Sequence, residues 1–315
     1  MRDSLFAWLT EEVGEPVTFG EVRRTSAGFS RENWVVDATW EGTRHELIVR
    51  RDPIGSVLNT DRAVEVAVLR ALASTGVPVP RLRWADLDGS RLGRPALVMD
   101  RVPGICDSFV LNGDRSLDER VDLAHRLYDL LAAIHKLDTT AFALEHPGRQ
   151  AALVAVDHWE DELRAVQLDP QPELAFVIAW LRAHAPVNEH TTLVHGDFKP
   201  GNALLDGDEW SAVLDWETAH LGDPHEDLGW VTNPLRQGEH RIAGAWEPAD
   251  LLARWSERTG WADDPDAVRW WQVLANVKLA VIVLTGVRAF VEGRLHRLHQ
   301  PPVRIYDLLL TQIGA

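Results

Sequence analysis

The stretch Leu193–Asn202 reads LVHGDFKPGN and decides how the rest of the chain is interpreted. Apolar residues lead into a loop that carries Asp197, and Asn202 follows five positions later. Residues 203–214 then read as a strand, an Asp-Gly-Asp turn and a second strand that ends at Asp215. This pattern predicts a hairpin with Asn202 and Asp215 near its two ends, so that their side-chain oxygens can converge on one point.

Converging carboxylate and amide oxygens suit Mg²⁺, a hard cation that keeps phosphate oxygens and waters among its ligands. An aspartate on the preceding loop can orient a substrate hydroxyl and accept its proton. A polar hairpin stabilised by side-chain turns would explain any one of these residues, but it would not explain their joint spacing. The stretch therefore predicts a site for a metal ion and a reacting hydroxyl.

Length and composition limit the class of protein. The chain has 315 residues, 45% of them hydrophobic and 25% charged, which excludes a disordered or fibrous protein. Single hydrophobic cores stop growing at about 250 residues, so two lobes are expected. The formal charge of −16 argues against a nucleic-acid partner, because phosphates attract basic surfaces. The single cysteine, Cys106, excludes an intramolecular disulfide framework and a cysteine metal cluster.

Two apolar segments bear on location. Met1–Glu12 is interpreted as a short amphipathic helix and not as a signal peptide, since no cleavage-like site follows it. Val273–Val291 is the longest apolar stretch, but Asn276, Lys278 and Arg288 interrupt it. Polar and charged residues inside a span are costly, so this segment predicts a buried helix. We expect a cytoplasmic protein with no membrane partner.

The first hundred residues are rich in β-branched and aromatic residues separated by turn-forming stretches. They predict the strands Val17–Arg24, Asn33–Trp40, His45–Arg50 and Pro95–Met99, with one helix at Val64–Leu72.

Beyond Pro103-Gly104 the pattern becomes helical, starting with a capping box at Ser116 and Glu119. Further helices are predicted at Trp159–Leu168, Glu173–Ala183, Ala249–Thr259 and from Asp264-Pro265 onward. The predicted fold class is α+β, with a small β-rich N-terminal lobe over residues 1–101 and a larger helical lobe over residues 102–315.

Three motifs together resemble a known family: His195-Gly196-Asp197-x4-Asn202, Leu214-Asp215-Trp216-Glu217, and Gly222-Asp223-Pro224-x2-Asp227-Leu228. They are similar to those of the aminoglycoside phosphotransferase and choline kinase superfamily, which shares the protein-kinase-like fold. The chain looks closest to the phosphotransferase-like domains related to those fused to acyl-CoA dehydrogenases. The resemblance covers nearly the whole chain and implies a bilobal fold, with nucleotide bound by residues 1–101 and the acceptor by residues 102–315.

The resemblance implies a role for each matching residue. Asp197 would be the catalytic aspartate, and Asn202 and Asp215 would hold Mg²⁺ against the nucleotide phosphates. Arg50 stands where the family usually has a lysine that grips the phosphates, and Glu65 would be its ion-pair partner. An arginine keeps the charge and can fork two oxygens, but its geometry differs from that of a lysine.

Other positions would surround the nucleotide. The backbone around Met99 and Arg101 would meet the base, and Ile48 would line the base pocket because strand alternation puts it on the face of Arg50. If the strand register is shifted by one residue, Arg51 and not Arg50 would contact the phosphates. The loop that would cover the phosphates has a single glycine and offers hydroxyls such as that of Ser30, together with backbone N–H groups.

Several neighbours of the motif have more than one interpretation. Lys199 could offset charge on the transferred phosphoryl group, or it could be an exposed loop lysine. Glu217 could add a further oxygen near the metal. His195 is interpreted as structural, donating to the loop backbone. Asp223 and Asp227 are interpreted as helix caps that brace the catalytic loop.

Charge distribution bears on the acceptor. Residues 195–227 hold nine acidic side chains and one basic one, whereas residues 228–315 hold nine acidic and ten basic ones. A polycationic aminoglycoside would favour an acidic helical wall. The balanced tail favours a neutral or anionic hydroxyl compound, such as a hydroxyacyl thioester or a hydroxylated metabolite.

The predicted activity is therefore Mg²⁺-dependent transfer of phosphate from ATP or GTP to a small-molecule hydroxyl. Two alternatives stay open, an antibiotic kinase and a catalytically silent nucleotide-binding scaffold.

Overall fold

A computed structural model describes residues 1–25, 31–52, 62–295 and 302–315. Its elements up to residue 183 are, in chain order, α1 (Arg2–Val13), β1 (Thr18–Arg24), β2 (Glu32–Trp40), β3 (Thr43–Arg51), α2 (Arg62–Leu72), β4 (Leu82–Asp86), β5 (Ala96–Asp100), α3 (Leu117–His135), α4 (Ala151–Val166) and α5 (Pro172–Ala183). They are followed by β6 (Thr192–Val194), β7 (Ala203–Asp206), β8 (Glu209–Val213), β9 (His220–Gly222), α6 (His225–Val231), α7 (Gln237–His240), α8 (Pro248–Thr259), α9 (Pro265–Val291) and α10 (Val303–Ile313).

The chain forms two compact units. The first contains Met1–Ile105 and Leu204–Glu217, and the second contains Cys106–Ala203 and Thr218–Ala315. The first is built on a sheet and the second is mainly helical, so the predicted α+β fold class is confirmed. The assignment of nucleotide to residues 1–101 and acceptor to residues 102–315 stays a prediction.

An antiparallel sheet with the strand order β1-β2-β3-β5-β4 organises the first unit. Leu47 and Val49 of β3 are fully buried and pack in the same core as Leu5 and Leu9 of α1. Because side chains alternate along a strand, Arg50 points to the opposite face of the sheet. The apolar pattern of β3 thus fixes the face that presents the arginine.

The hairpin β7–β8 also belongs to the first unit from Leu204 onward. Leu205 and Ile105 exchange two backbone hydrogen bonds of 3.0 and 2.9 Å, and the Val213 N–H donates to the Pro78 carbonyl at 2.8 Å. Asp215 follows β8 by two residues, so the hairpin attaches Asp215 to this unit.

The long helix α9 lies in the core of the second unit. Its N-terminus is capped by Asp264, whose Oδ1 accepts from the N–H groups of Asp266 (2.9 Å) and Ala267 (3.2 Å). By length and composition alone the helix could cross a membrane, but 56% of its most apolar window is buried inside the protein. Asn276 is fully buried and Lys278 is 8% exposed. The helix packs as the core helix that its sequence predicted.

Helices α6 and α9 approach each other closely at Gly229. A Cβ atom placed on Gly229 would lie 2.6 Å from the Cβ of Trp271, a separation that real Cβ contacts do not show. Only glycine therefore permits this packing.

Most predicted elements are present with shifted ends. The capping box at Ser116 forms as predicted, with its N–H donating to Glu119 Oε2 at 2.9 Å. Helix α4, however, begins at Ala151 and not at Trp159. Strand β4 was not predicted; it is a short edge strand whose side chains are mostly half-buried, so its sequence lacks a clear apolar alternation.

Candidate active site

The predicted site residues fall into two groups, one in each unit. The first unit holds Arg50, Glu65, Ile48, Met99, Arg101 and Asp215, and the second holds Asp197 and Asn202. Ser30 lies outside the described residues.

Arg50 links two carboxylates in the first unit. Its Nη1 lies 3.0 Å from Glu65 Oε1, and its Nη2 lies 2.6 Å from Asp215 Oδ1. The neighbouring Arg51 pairs with Glu32 instead, at 2.6 Å. The β3 register therefore selects Arg50 as the arginine that meets both the predicted α2 partner and the predicted metal ligand.

The Arg50–Glu65 ion pair is extended by further charged side chains, most of which are buried. Arg62 contacts both Glu65 and Asp52, and its Nε lies 2.9 Å from Asp52 Oδ1. Arg31 in turn contacts Asp52 and Glu217, with its Nε 2.9 Å from Glu217 Oε2. Paired burial of this kind compensates each charge that has lost its water. Sequence reasoning missed Arg31, Asp52 and Arg62, because only the folded chain brings them together.

Titration follows from these contacts. Burial lowers the pKa of Arg50, but the carboxylates of Glu65, Asp215 and Glu217 raise the pKa more, so the guanidinium stays charged. Burial and the nearby Asp215 raise the pKa of Glu217, against the opposing effects of Arg31 and Arg50. Arg50 thus keeps its charge through its carboxylate partners, whereas burial and Asp215 disfavour the charged form of Glu217.

Asp215 has an unusual backbone. Its φ angle is +67°, in the left-handed region that few non-glycine residues occupy. Aspartate tolerates this region better than most residues, and such outliers cluster at functional sites. The conformation sets the direction of the carboxylate that Arg50 contacts.

The predicted base-pocket residues share the sheet with Arg50. Ile48 and Met99 are directly paired across β3 and β5, and Met99 is buried. The Arg101 N–H donates to the Glu46 carbonyl at 2.8 Å, while the Arg101 side chain is exposed. Their contact with a base stays a prediction.

In the second unit, the two oxygens of Asp197 have different surroundings. Oδ2 accepts from Lys199 Nζ at 2.6 Å and from Asn202 Nδ2 at 2.9 Å. Arg236 Nη2 lies 4.0 Å from Oδ1. One carboxylate oxygen is thus fixed by two donors, and the other lies near a guanidinium. The catalytic role of Asp197 stays a prediction.

The backbone just before Asp197 is held from several sides. The N–H groups of His195 and Gly196 each donate to a carboxylate oxygen of Asp227 at 2.8 Å. Thr218 Oγ1 donates to the His195 carbonyl at 2.9 Å, and Lys278 Nζ donates to the Gly196 carbonyl at 2.5 Å. These bonds fix the backbone that leads into the predicted catalytic residue. Asp227 braces this backbone as predicted, but it is not a helix cap, because it lies inside α6, whose N-cap is Pro224.

Asp227 is itself oriented by a relay. The Trp255 indole N–H donates to His135 Nδ1 at 2.9 Å, so that His135 carries its proton on Nε2, which faces Asp227 Oδ2 at 3.1 Å. Burial raises the pKa of Asp227, but the histidines His135 and His195 and the N–H bonds lower it further, so the net shift is downward. Asp227 therefore braces the loop as a carboxylate.

Two cations lie against the indole of Trp230. Lys278 Nζ is 4.5 Å from the centre of the ring, and the Arg236 guanidinium carbon is 4.2 Å from it. Burial and Arg236 lower the pKa of Lys278, and Glu226, Asp197 and Asp227 partly offset that shift. Sequence reasoning missed Arg236 and noted Lys278 only as a charge within an apolar stretch.

His195 is fully buried, in keeping with a structural role, and its Nδ1 accepts from the Asp197 N–H at 3.2 Å. Its predicted donation to the loop backbone stays a prediction. The turn brings the N–H of Asp197 close to the imidazole, and the lone pair of Nδ1 accepts the hydrogen bond.

The donors predicted for a metal are oxygen atoms. Asp215 supplies a carboxylate, and Asn202 turns its amide nitrogen toward Asp197, so that its oxygen is the atom left for a cation. Within the described ranges, no group of three His, Cys, Asp or Glu side chains converges. Carboxylate and amide oxygens are of the kind that Mg²⁺ accepts, since this ion takes few protein ligands and completes its shell with phosphates and water. Binding of Mg²⁺ by Asn202 and Asp215 stays a prediction.

The sequence pattern of the phosphotransferase enzyme family (APH) matches residues 21–271, and the chain belongs to this family. The predicted resemblance is confirmed. A relative in mouse, acyl-CoA dehydrogenase family member 10, is 34% identical over 193 residues, which cover 59% of this chain and 18% of the relative. The chain thus matches less than a fifth of the length of that protein.

Solved structures share the fold. A candidate aminoglycoside phosphotransferase of Ralstonia eutropha JMP134 has a TM-score of 0.74 at 22% identity, over 99% of this chain and 96% of that chain. Choline kinase LicA of Streptococcus pneumoniae has a TM-score of 0.67 at 16% identity, over 98% and 99% of the two chains. A second LicA structure contains AMP. The fold is therefore that of the small-molecule kinases.

Proposed function

We propose that this protein transfers the γ-phosphate of ATP, or of GTP, to the hydroxyl of a small molecule in a Mg²⁺-dependent reaction. The observation that carries the proposal is the asymmetric setting of Asp197. Lys199 and Asn202 fix one of its oxygens, and the other is left to receive a hydroxyl. Family membership supports phosphoryl transfer as the reaction class.

Asp197 orients the acceptor and takes up its proton. The hydroxyl oxygen forms a bond to the γ-phosphorus while the bond from that phosphorus to the β,γ-bridging oxygen breaks. The hydroxyl proton passes to Asp197 Oδ1 and the nucleoside diphosphate leaves. Positioning and charge stabilisation supply most of the catalysis in such reactions.

Asn202 and Asp215 would hold Mg²⁺ through their side-chain oxygens. When bound, the ion would neutralise part of the negative charge on the phosphates. Arg50 grips phosphate oxygens with the guanidinium that now contacts Glu65 and Asp215. Lys199, already 2.6 Å from Asp197, offsets charge on the transferred group.

The base lies against the backbone near Met99 and Arg101, with Ile48 beneath it. The pairing of Ile48 with Met99 across the sheet supports this arrangement, because both then sit on the face of Arg50.

For the acceptor we propose a neutral or anionic hydroxyl compound, such as a hydroxylated metabolite or a hydroxyacyl thioester. The balanced charge of residues 228–315 supports this choice over a polycationic antibiotic. An antibiotic kinase is the alternative within the same reaction class, and a silent nucleotide-binding scaffold is the alternative outside it.

The test measures release of nucleoside diphosphate with Mg²⁺ and a panel of aminoglycosides, macrolides, hydroxy acids and hydroxyacyl thioesters. We expect Asp197→Asn to lose transfer while it still binds nucleotide. Asp206→Asn, which makes the same change in the exposed β7–β8 turn, should retain activity.

Each result decides between the alternatives. Full turnover in Asp197→Asn would contradict the mechanism. Stimulation by aminoglycosides alone would support the antibiotic kinase, and nucleotide binding without turnover on any compound would support the scaffold.

A further inference from the structure

Arg236 is held in place by its backbone. It ends the short 3-10 turn Pro234–Arg236, which Asn233 caps by accepting from the Leu235 N–H at 2.9 Å. The Asn233 amide also donates to Asn276 on α9 at 2.8 Å, and both asparagines are fully buried. The turn therefore has a defined position within the second unit.

Contacts also fix the orientation of the Arg236 guanidinium, but among the described residues not all of its nitrogen atoms have a hydrogen-bond acceptor. Its Cζ lies 4.2 Å from the centre of the Trp230 ring, and its Nη2 donates to Glu239 at 2.6 Å. Among the residues that the structure describes, Nε and Nη1 donate no hydrogen bond, and Nε is buried. Buried polar donors are nearly always paired. The unpaired nitrogen atoms of Arg236 are therefore donors that an oxygen of a bound ligand can satisfy.

The Arg236 guanidinium lies near the oxygen of Asp197 that would receive the acceptor hydroxyl. Asp197 Oδ2 already accepts from Lys199 and Asn202, so the hydroxyl that is phosphorylated must approach Oδ1. Arg236 Nη2 is 4.0 Å from that oxygen. An acceptor bound through its hydroxyl at Oδ1 thus has Arg236 beside it.

We infer that Arg236 is a specificity-determining residue that selects acceptors carrying a carboxylate or carbonyl oxygen close to the reacting hydroxyl. The inference rests on the proposed function. Such an oxygen can accept from Nη1, and charge-assisted hydrogen bonds of this kind are the strong ones. An ammonium group offers only donors and would be repelled by Arg236 and Lys199, so aminated acceptors are disfavoured.

The experiment uses four probes that share one secondary alcohol: 3-hydroxybutyrate, its methyl ester, 1,3-butanediol and 4-amino-2-butanol. We expect kcat/KM of the wild-type protein with the carboxylate or the ester to exceed that with the diol or the amine by about tenfold to a hundredfold. The comparison of acid with ester shows whether a carboxylate or a carbonyl is selected.

Arg236→Met removes the donors while a flexible apolar side chain keeps contact with Trp230. The preference should collapse through a higher KM for the oxygen-bearing probes, with unchanged circular dichroism and Tm. Arg241→Met is the matched control, because Arg241 lies on the same segment but pairs with the half-buried Glu247. It should keep the wild-type preference.

Failure of this inference can be separated from failure of the proposed function. Phosphorylation of the diol or amine as efficiently as the acid and ester, or a preference that survives in Arg236→Met, would overturn the inference and leave the function standing. If no compound is phosphorylated, binding of 3-hydroxybutyrate to the protein with Mg²⁺ and a non-hydrolysable ATP analogue decides. Equal affinity in the wild type and Arg236→Met would then overturn it, and a weaker affinity in Arg236→Met would support it.

Discussion

Arg50 and Asp215 are 165 residues apart in the sequence, yet an Nη2–Oδ1 distance of 2.6 Å joins them. The residue proposed to grip phosphate therefore contacts the residue proposed to bind the metal. Each would have to exchange part of this contact when a nucleotide and its ion arrive. The pair keeps both charges compensated in their absence.

Substitution of Arg50 tests the register of β3. Arg50→Met should weaken Mg·ATP binding by about tenfold or more, because a charge-assisted contact to phosphate is lost. Arg51→Met should leave binding within about twofold, since Arg51 pairs with Glu32 on the sheet. Calorimetric titration of nucleotide into each variant makes the comparison. A larger loss in Arg51→Met would show that the other arginine contacts phosphate.

Lys278 allows stability and activity to be separated. Lys278→Met removes a buried charge but also leaves the Gly196 carbonyl without its donor, so the two effects on Tm oppose each other and Tm should change little. Phosphoryl transfer should fall about tenfold, because the Gly196 carbonyl is no longer held. Lys136→Met is a matched control, as Lys136 also donates to a carbonyl, that of Thr259, and lies 4.5 Å from the Trp261 ring. Melting curves and turnover are measured on both variants. Parallel loss of Tm and rate in Lys278→Met would assign that lysine a purely structural role.

Asp227 should dominate the stability of the catalytic loop. Asp227→Asn replaces one accepting oxygen with a donor, so that one of two buried N–H groups faces another donor. We expect a loss of about 3 kcal/mol in the free energy of unfolding, measured with urea. The surface variant Asp161→Asn should change it by less than about 0.5 kcal/mol. A neutral result for Asp227→Asn would mean that the loop is held by its other contacts.

The pKa of His220 should lie above that of an ordinary histidine. Burial lowers the pKa of His220, but Glu226, the Thr218 carbonyl and Asp227 together raise the pKa to about 9. Because the folded pKa lies above the ordinary 6.5, the stabilisation is complete below pH 6.5 and is lost as the pH rises through about 9. The side chain is 42% exposed, so solvent screening keeps the contribution small.

An imidazole titration by NMR measures this pKa directly. Glu226→Gln should return the pKa toward its ordinary value, since the Nε2–Oε2 contact of 3.1 Å is lost. A wild-type midpoint near 6.5 would contradict the assignment.

Local patterns in the sequence were enough to predict much of the fold. The Ser116 capping box, the Asp264 cap and the alternation in β3 each depend on residues that are neighbours along the chain. The spacing of Asp197, Asn202 and Asp215 could likewise be interpreted because one hairpin carries it. These features follow from short-range rules of geometry.

The remaining features depend on contacts between distant residues. Arg31 and Glu217 are 186 positions apart, and Lys278 and Gly196 are 82 apart. No local period marks such pairs, and an arginine that meets a carboxylate looks the same in sequence as one that meets solvent. The hydrogen bond from the Asp197 N–H to His195 Nδ1 could not be predicted either, because it depends on how the turn brings this N–H close to the imidazole.

Gly229 has a consequence for the two helices that it brings together. Asp227 on α6 reaches the N–H side of the loop, and Lys278 on α9 reaches its carbonyl side. Both contacts can form on the same residue, Gly196, only while the two helices keep their present spacing, and the absence of a side chain at Gly229 permits that spacing. A single methyl group there would act as a wedge, and it would loosen the catalytic loop without touching it.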